Sequence, residues 1–570
     1  MKIDWDVEIT TSDGSIVRAD IFRPDGEGPF PVLMSHGPYA KGLHFGEGFP
    51  MQWKGLTSDY PEVLRGSSGR YANWETVDPE RWVPFGYACV RVDSRGAGRS
   101  PGVLDCWSPR EIDDFCECIE WAAAQPWSNG KIGLAGVSYY ASTQWQVAAR
   151  RPRHLAAICP FEGYTDMYRD ACRHGGILNT FLMNWYPNQI ANVQNGLGSR
   201  ARVNPNTGVS IAGPDDLSED ELLANGVDIP GKLLSAELIT DSYYKERTPD
   251  LAAIEVPVLS CGNWGGHGVH LRGNVQGWLG AGSKQKWMEL HGREHWTEFY
   301  TDYGVALQKR FFDHFLKGED NGWDQQPPIS MLVRHVDRFV QRAEHEWPLA
   351  RTQWTRSYLD AASLRLKSEP SGVDGQARID GLDGKVDFST APFEQETEVT
   401  GPLAATLHVS TTAKDADLFV TVRAYDTAGK EHLIVAASEL NAPLAQGWLR
   451  ASHRKLDPVK SKPWQPWHPH DELQFLEPGQ IYELQIEIWP MSFVFPKGWR
   501  LVLTVGSTDF QHDLPGPWPQ IYGKPMRGSS VLLHDHPEDR TPERFGGEIT
   551  IHTGGAHPSF LLLPIVPARP

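Results

Sequence analysis

Residues 131–141, Lys-Ile-Gly-Leu-Ala-Gly-Val-Ser-Tyr-Tyr-Ala, constrain this chain more than any other stretch. An apolar run over 132–137 stops at Gly136-Val137-Ser138, and a helical segment over 139–150 follows at once. A strand that enters a helix through a single serine leaves that serine on a sharp, strained turn with its hydroxyl exposed. Its neighbours must be small, and a backbone N–H at the helix start then lies beside whatever the serine attacks. The pattern departs from Gly-x-Ser-x-Gly at Tyr140, and Ala141 and Ser142 supply small residues one and two positions later. Ser138 is therefore a candidate nucleophile.

The chain around it alternates. Residues 31–35, 87–93, 155–160 and 256–261 read as buried strands, and 286–290 as the last strand of the series. Residues 111–124 have helical periodicity, with Ile112, Phe115, Cys116, Ile119 and Ala122 on one side, and 300–317 read as a further helix. This rhythm predicts a mostly parallel sheet covered by helices, an α/β-hydrolase core built from 1–165 and 250–345. Residues 166–249 break the rhythm. They are polar and rich in Asn and Gly, with helix-like pieces at 218–223 and 232–237, and predict a helical cap over the site. From 346 to 570, strand-like segments at 404–410, 418–423, 481–488 and 500–505 predict an all-β jelly-roll sandwich.

At 570 residues the chain is too long for one ordinary domain, and its 40% hydrophobic content with 22 Trp supports a large core. A net charge of −18 argues against non-specific nucleic-acid or anionic-membrane binding. The first residues lack the apolar stretch of a secretory signal, and no run is long enough to span a bilayer. The seven cysteines lie at irregular spacing in the first half, which predicts reduced thiols and a cytoplasmic location.

Further motifs accompany the serine turn: Asp13-Gly14 with Phe22-Arg-Pro24, Pro38-Tyr39-Ala-Lys41, Asp93-Ser-Arg-Gly-Ala-Gly-Arg-Ser100 and Gln125-Pro-Trp-Ser128. Phe388-Ser-Thr-Ala-Pro392, Gly401-Pro402 and Lys497-Gly-Trp-Arg500 follow in the second half. Together they resemble the cocaine esterase/X-Pro dipeptidyl peptidase (CocE/NonD) family over nearly the whole length. The resemblance implies Ser138 as nucleophile and His295, in His291-Gly-Arg-Glu-His-Trp296, as the base that takes its proton, with His291 as the alternative. It implies an oxyanion hole made by the Tyr39 hydroxyl and the Tyr139 backbone N–H. The glycine-rich 95–99 stretch lacks a phosphate-loop ending and reads as a tight turn.

The triad acid is the point of departure. The family carries an aspartate in a Gly-Trp-Tyr-Asp-like loop, whereas the matching segment here is Cys261-Gly-Asn-Trp-Gly-Gly-His267, with Gly265 in the aspartate's place. Glu162, at the end of the 155–160 strand, is the candidate replacement, and it keeps the chain order nucleophile, acid, histidine. Asp166 is the alternative. His267, His270, His291 and His295 show no metal-type spacing, so no metal and no cofactor are expected. Trp185, Tyr186 and Trp264 are candidate substrate-binding aromatics, and Trp185, Tyr186, Tyr243 and Tyr244 suggest an apolar or aromatic acyl group. The expected activity is hydrolysis of a small-molecule ester through an acyl-enzyme, with an X-Pro dipeptidyl peptidase or amidase as the alternative. From another class, a hydrolase scaffold whose triad decayed at Gly265 would be a binding protein. A homodimer is compatible with the chain.

Overall fold

The computed structural model describes residues 1–513, 520–522 and 524–568. A ten-stranded sheet forms the first half: β1 (Lys2–Thr10), β2 (Ile16–Arg23), β3 (Phe30–Gly37), β4 (Ala88–Asp93), β5 (Ser128–Val137), β6 (Leu155–Phe161), β7 (Val258–Asn263), β8 (Lys286–His291), β9 (Ile329–Arg334) and β10 (Phe339–Glu344). The order is β1-β2-β4-β3-β5-β6-β7-β8-β9-β10. Strands β3 to β9 run parallel, and β1, β2 and β10 are antiparallel margins. Strand order reverses around β3, and the C-terminal ends of β3, β5, β6, β7 and β8 converge on one edge, where ligand sites of such sheets lie.

The central strands are buried along most of their length because helices cover both faces: α1 (Pro109–Ala123) and α2 (Tyr139–Arg150) among them. In α1 the stripe Ile112, Phe115, Cys118, Ile119 and Ala122 is buried, and Ser108 caps its start by accepting from the Glu111 N–H. Strand β8 is not the last of the sheet, as the sequence predicts; β9 and β10 follow it. For β10, Phe-Val-Gln-Arg-Ala-Glu, the reason is an exposed edge: Val340, Gln341 and Ala343 face solvent and there is no apolar run, whereas β9, Ile-Ser-Met-Leu-Val-Arg, is buried along most of its length.

Between β6 and β7 the chain forms short pieces only: a π-turn (Met167–Cys172), a two-stranded ribbon (Arg173–His174 with Ile177–Leu178), and helices at Phe181–Trp185, Glu219–Ala224 and Ile229–Ser235. The helix at Phe181–Trp185 continues through a π-helical stretch (Tyr186–Ile190) into a 3-10 turn (Ala191–Val193), and the other helices of the cap do not exceed two turns.

The second half contains β11 (Gln353–Asp360), β12 (Arg365–Lys367), β13 (Lys385–Ser389), β14 (Thr397–Thr411), β15 (Asp417–Tyr425), β16 (Ala445–Arg450), β17 (Tyr482–Phe495), β18 (Arg500–Gly506) and β19 (Phe560–Val566). They pair as β14-β17-β16-β15-β18-β13-β12-β11-β19, and β19 pairs back onto β14. The domain is therefore a closed β-barrel, where the sequence predicts a jelly-roll sandwich. Alternation of buried and exposed residues reports a half-buried strand but not its partners. The long strand β14 pairs with β17 on one side and β19 on the other, with a register irregularity at Gly401/Leu403 in the first pairing and between Val399 and Ala404 in the second. The barrel docks on the core through an aromatic cluster that includes Trp264, Trp347, Phe419, Trp448 and Trp489.

Candidate active site

Ser138 ends β5 with φ 59° and ψ −109°, a conformation rarely tolerated by a non-glycine residue. Two contacts hold it there. The Val137 N–H donates to the Glu75 carbonyl at 3.1 Å, and the Ser138 N–H donates to the Phe161 carbonyl at the end of β6 at 3.0 Å. Gly136 must lack a side chain, because a Cβ there would sit 2.4 Å from the Tyr140 Cβ. Tyr140 thus packs over Gly136, the small residue that this tight turn requires.

Glu162 directly follows β6, again at positive φ (49°), with its N–H donating to the Cys261 carbonyl at 2.7 Å. It is fully buried between two histidines. His295 Nδ1 lies 2.8 Å from Glu162 Oε2, and His291 Nε2 lies 3.3 Å from Oε1. The Asn263 side-chain amide donates to Oε1 at 3.2 Å. Burial alone would push Glu162 up, but the two imidazoles, charged beside it, outweigh burial and hold it at about 2. His295 shows the reciprocal effect. Burial pushes it down, and the charge and hydrogen bond of Glu162, with a hydrogen bond to Glu75, raise it to about 10.

His291 is locked into the core by Glu289 at 2.7 Å and Glu162, and it does not line the cavity. Asp166, the alternative acid, accepts from the Arg169 N–H and pairs with its guanidinium, capping the π-turn. Gly265, where the family aspartate would stand, is pressed against the barrel: a Cβ there would lie 2.4 Å from the Ala436 Cα. The loop of the second domain occupies the space that an aspartate would need.

Two residues at the site have no counterpart in the sequence expectations. Glu75, at φ 61°, is buried and presents Oε1 to His295 Nε2 at 2.9 Å. Burial raises its carboxyl to about 7, against the opposing pull of His295. His270 places Nε2 at 3.1 Å from Ser138 Oγ, and its ring stacks on His295 at 4.7 Å with 11° between the planes. Burial, then the charge of His295, pushes His270 well below the usual histidine range, so it is neutral at physiological pH. Neither could be found by motif: Glu75 lies in an irregular loop and His270 just before the helix Leu271–Gly280. Glu162, His270 and His295 bring donor atoms within 4.8 Å of one another, a spacing that a metal ion could bridge. In this arrangement both His295 nitrogens are already engaged by carboxylates, Glu162 at Nδ1 and Glu75 at Nε2.

Tyr39 follows β3 and is buried. The Trp185 Nε1–H donates to its hydroxyl oxygen at 3.2 Å, which leaves the Tyr39 proton free to point into the cavity. Burial first, then the charge of Glu75, raises Tyr39 well above the usual phenol range, so it remains a donor. The Tyr139 backbone N–H opens α2 next to Ser138, while its side chain is turned away, donating to Glu111 at 2.6 Å.

A cavity of about 470 Å³ opens over these groups, lined by Tyr39, Glu75, Ser138, His270 and His295. Its walls are largely apolar, with Phe49, Met51, Trp74, Phe181, Trp185 and Leu532 among them. Of the three aromatics expected at the substrate, Trp185 lines the cavity, and Tyr186 and Trp264 do not. Tyr186 points into the cap, its hydroxyl toward Gly226. Trp264 donates to the Leu332 carbonyl and belongs to the aromatic seam between core and barrel. Tyr243 and Tyr244 are likewise interior residues of the cap. The large aromatic side chain that sequence reads as a substrate contact is equally suited to a domain seam.

Comparison with known proteins agrees with this architecture. Residues 13–297 match the X-Pro dipeptidyl-peptidase (S15 family) model, and 321–562 match the X-Pro dipeptidyl-peptidase C-terminal non-catalytic domain. The chain is 25% identical to the cocaine esterase of Rhodococcus sp. (strain MB1 Bresler), with 98% of each chain covered. A CocE/NonD family hydrolase from Staphylococcus aureus superposes with a TM-score of 0.84 at 33% identity, covering 99% of this chain and 94% of the other. An aminopeptidase from a marine sediment Thaumarchaeota archaeon shares the fold at 15% identity and a TM-score of 0.69, over 99% and 96% of the two chains. An α/β core followed by a C-terminal β-domain is thus a shared plan, and the chain belongs to the CocE/NonD, X-Pro dipeptidyl-peptidase (S15) family of α/β-hydrolases.

Proposed function

We propose that this hydrolase cleaves esters of an apolar or aromatic acyl group through a covalent intermediate on Ser138. The observation that carries the reading is a strained serine beneath a largely apolar cavity, beside a histidine backed by a buried carboxylate. Ser138 attacks the acyl carbonyl as His295 takes its proton, and Glu162 orients the ring and stabilises the imidazolium. For this, His295 first gives its Nε2 proton to Glu75, whose carboxyl burial raises to about 7, and the freed nitrogen then turns from Glu75 to the serine hydroxyl. Tyr39 and the Tyr139 N–H receive the developing negative charge. Water, activated by His295, then releases the acid. No step requires a cofactor.

The preference for esters over peptides rests on the lining. Among the described residues around the cavity, Glu75 is the one carboxylate, and His295 engages it. Asp166 and Asp170 in the cap are consumed by Arg169 and Arg272. A free N-terminal ammonium therefore meets no uncommitted carboxylate.

The test is fluorophosphonate labelling of wild type and Ser138→Ala, read by mass spectrometry, followed by aryl esters, alkyl esters and X-Pro anilides. Label confined to Ser138 with turnover of the esters supports the reading. Faster turnover of X-Pro anilides, dependent on a free N-terminus, would replace it with the peptidase. A folded protein that takes no label would point to a binding protein on a hydrolase scaffold.

A further inference from the structure

The hydroxyl of Ser138 is held by a histidine other than the one backed by Glu162. His270 Nε2 lies 3.1 Å from Oγ, while His295 uses both nitrogens on carboxylates. His270 follows β7, the strand whose loop carries the family's aspartate, and it stands at the start of the helix Leu271–Gly280. It is 7% exposed, stacked face to face on a charged ring, and set against the positive end of a helix. Each of these surroundings opposes a second positive charge. A group so placed is a poor base but a good neutral donor, the use to which enzymes put an imidazole that must not ionise.

We propose, resting on the acyl-enzyme reading above, that His270 is a second catalytic histidine whose Nε2–H donates to Ser138 Oγ and eases its departure when the acyl-enzyme is hydrolysed. In that step water adds to the acyl carbon and gives its proton to His295. The carbon–Oγ bond then breaks, and His295 returns the proton to Oγ. Oγ is the leaving group here, and it carries rising negative charge as the bond lengthens. His270 holds a hydrogen bond to that oxygen throughout and transfers no proton. In acylation the same contact keeps Oγ aimed into the cavity, but the charge there develops on the carbonyl oxygen, which Tyr39 and the Tyr139 N–H receive. The contribution of His270 is therefore larger in deacylation.

The experiment is pre-steady-state hydrolysis of a p-nitrophenyl ester by wild type, His270→Ala, His270→Gln and His295→Gln, with intact-mass detection of the acyl adduct. Loss of one preorganised donor to a developing anion costs about 100-fold. His270→Ala is expected to lose about that factor in the deacylation rate and to accumulate the acyl adduct, with a clearly smaller loss in burst rate and fluorophosphonate labelling. His270→Gln, which retains an N–H donor, is expected to recover most of the deacylation rate. His295→Gln loses burst, turnover and label together. The proposal is overturned if both His270 variants deacylate at the wild-type rate. It is also overturned if His270→Ala and His270→Gln lose burst and labelling in parallel with turnover, since that marks a base or a packing residue. A wild-type protein that takes no label at Ser138 sinks the acyl-enzyme reading and this role with it, whereas labelled wild type with unaffected variants sinks only the role of His270.

Discussion

Two carboxylates flank His295, and each has its own signature. Glu162→Gln keeps the shape but removes the charge that orients His295, so kcat is expected to fall about 10⁴-fold with KM nearly unchanged, as read by steady-state kinetics. Glu75→Gln acts in the other direction. It removes a negative charge 2.9 Å from His295 Nε2, which lowers the pKa of the imidazolium. The free base is then present at lower pH, and the acid limb of the kcat/KM profile is expected to move to lower pH than in wild type. The same groups link stability to pH. Glu162 is depressed to about 2, so its contribution is present above the unfolded carboxylate value and is lost as pH falls toward 2. His291 and His295 are raised to about 10, so their contributions are full below the unfolded imidazole value and are lost as pH rises through 10. Thermal melts should show Tm falling on the alkaline side, between about pH 6.5 and 10, and His291→Gln should flatten that fall. Ser138, Tyr39, His295 and Glu162 were legible because each stands at a strand end or in a recognisable motif. Glu75 and His270 were not, because their significance lies in distances across the site, which chain spacing does not encode.

At the scale of the element, the loop after β7 explains why no aspartate stands at Gly265. Gly265 is pinned by the barrel loop, with the Ala437 N–H donating to its carbonyl at 3.1 Å and no space for a Cβ. Gly265→Asp is therefore not a restoration of the family acid. It is expected to destabilise the fold by about 1–3 kcal/mol or more through overpacking, and to leave Glu162→Gln unrescued when the two are combined; chemical denaturation and the double mutant's kinetics check both. Helices and central strands were readable from apolar periodicity because burial on one or both faces imposes it. β10 escaped because an edge strand buries one face at most, and the cap escaped in detail because short turns are set by contacts, not by period.

Over the whole molecule, cap, core and barrel are joined by polar as well as aromatic contacts. Asp539 receives Arg173 from the cap ribbon at 2.8 Å and Arg450 from β16 at 2.7 Å, all three buried. Asp539→Ala would leave the buried Arg173 without a carboxylate partner, on backbone carbonyls alone, and Arg450 leaning on Asp417. Breaking such a network by removing one partner costs about 3–5 kcal/mol, so a clear drop in Tm is expected, measurable by calorimetry. The sequence by itself determined that an α/β sheet precedes an all-β domain, and that a strained serine ends one strand. Those features follow from local periodicity and from the backbone demands of one turn, which neighbours along the chain impose. Only the tertiary structure decided that the β-domain closes into a barrel, that its loop fills the space beside Gly265, and that Glu75 and His270 meet His295 and Ser138. Those outcomes depend on which surfaces touch, and residues hundreds of positions apart acquire their electrostatics only when burial brings them together.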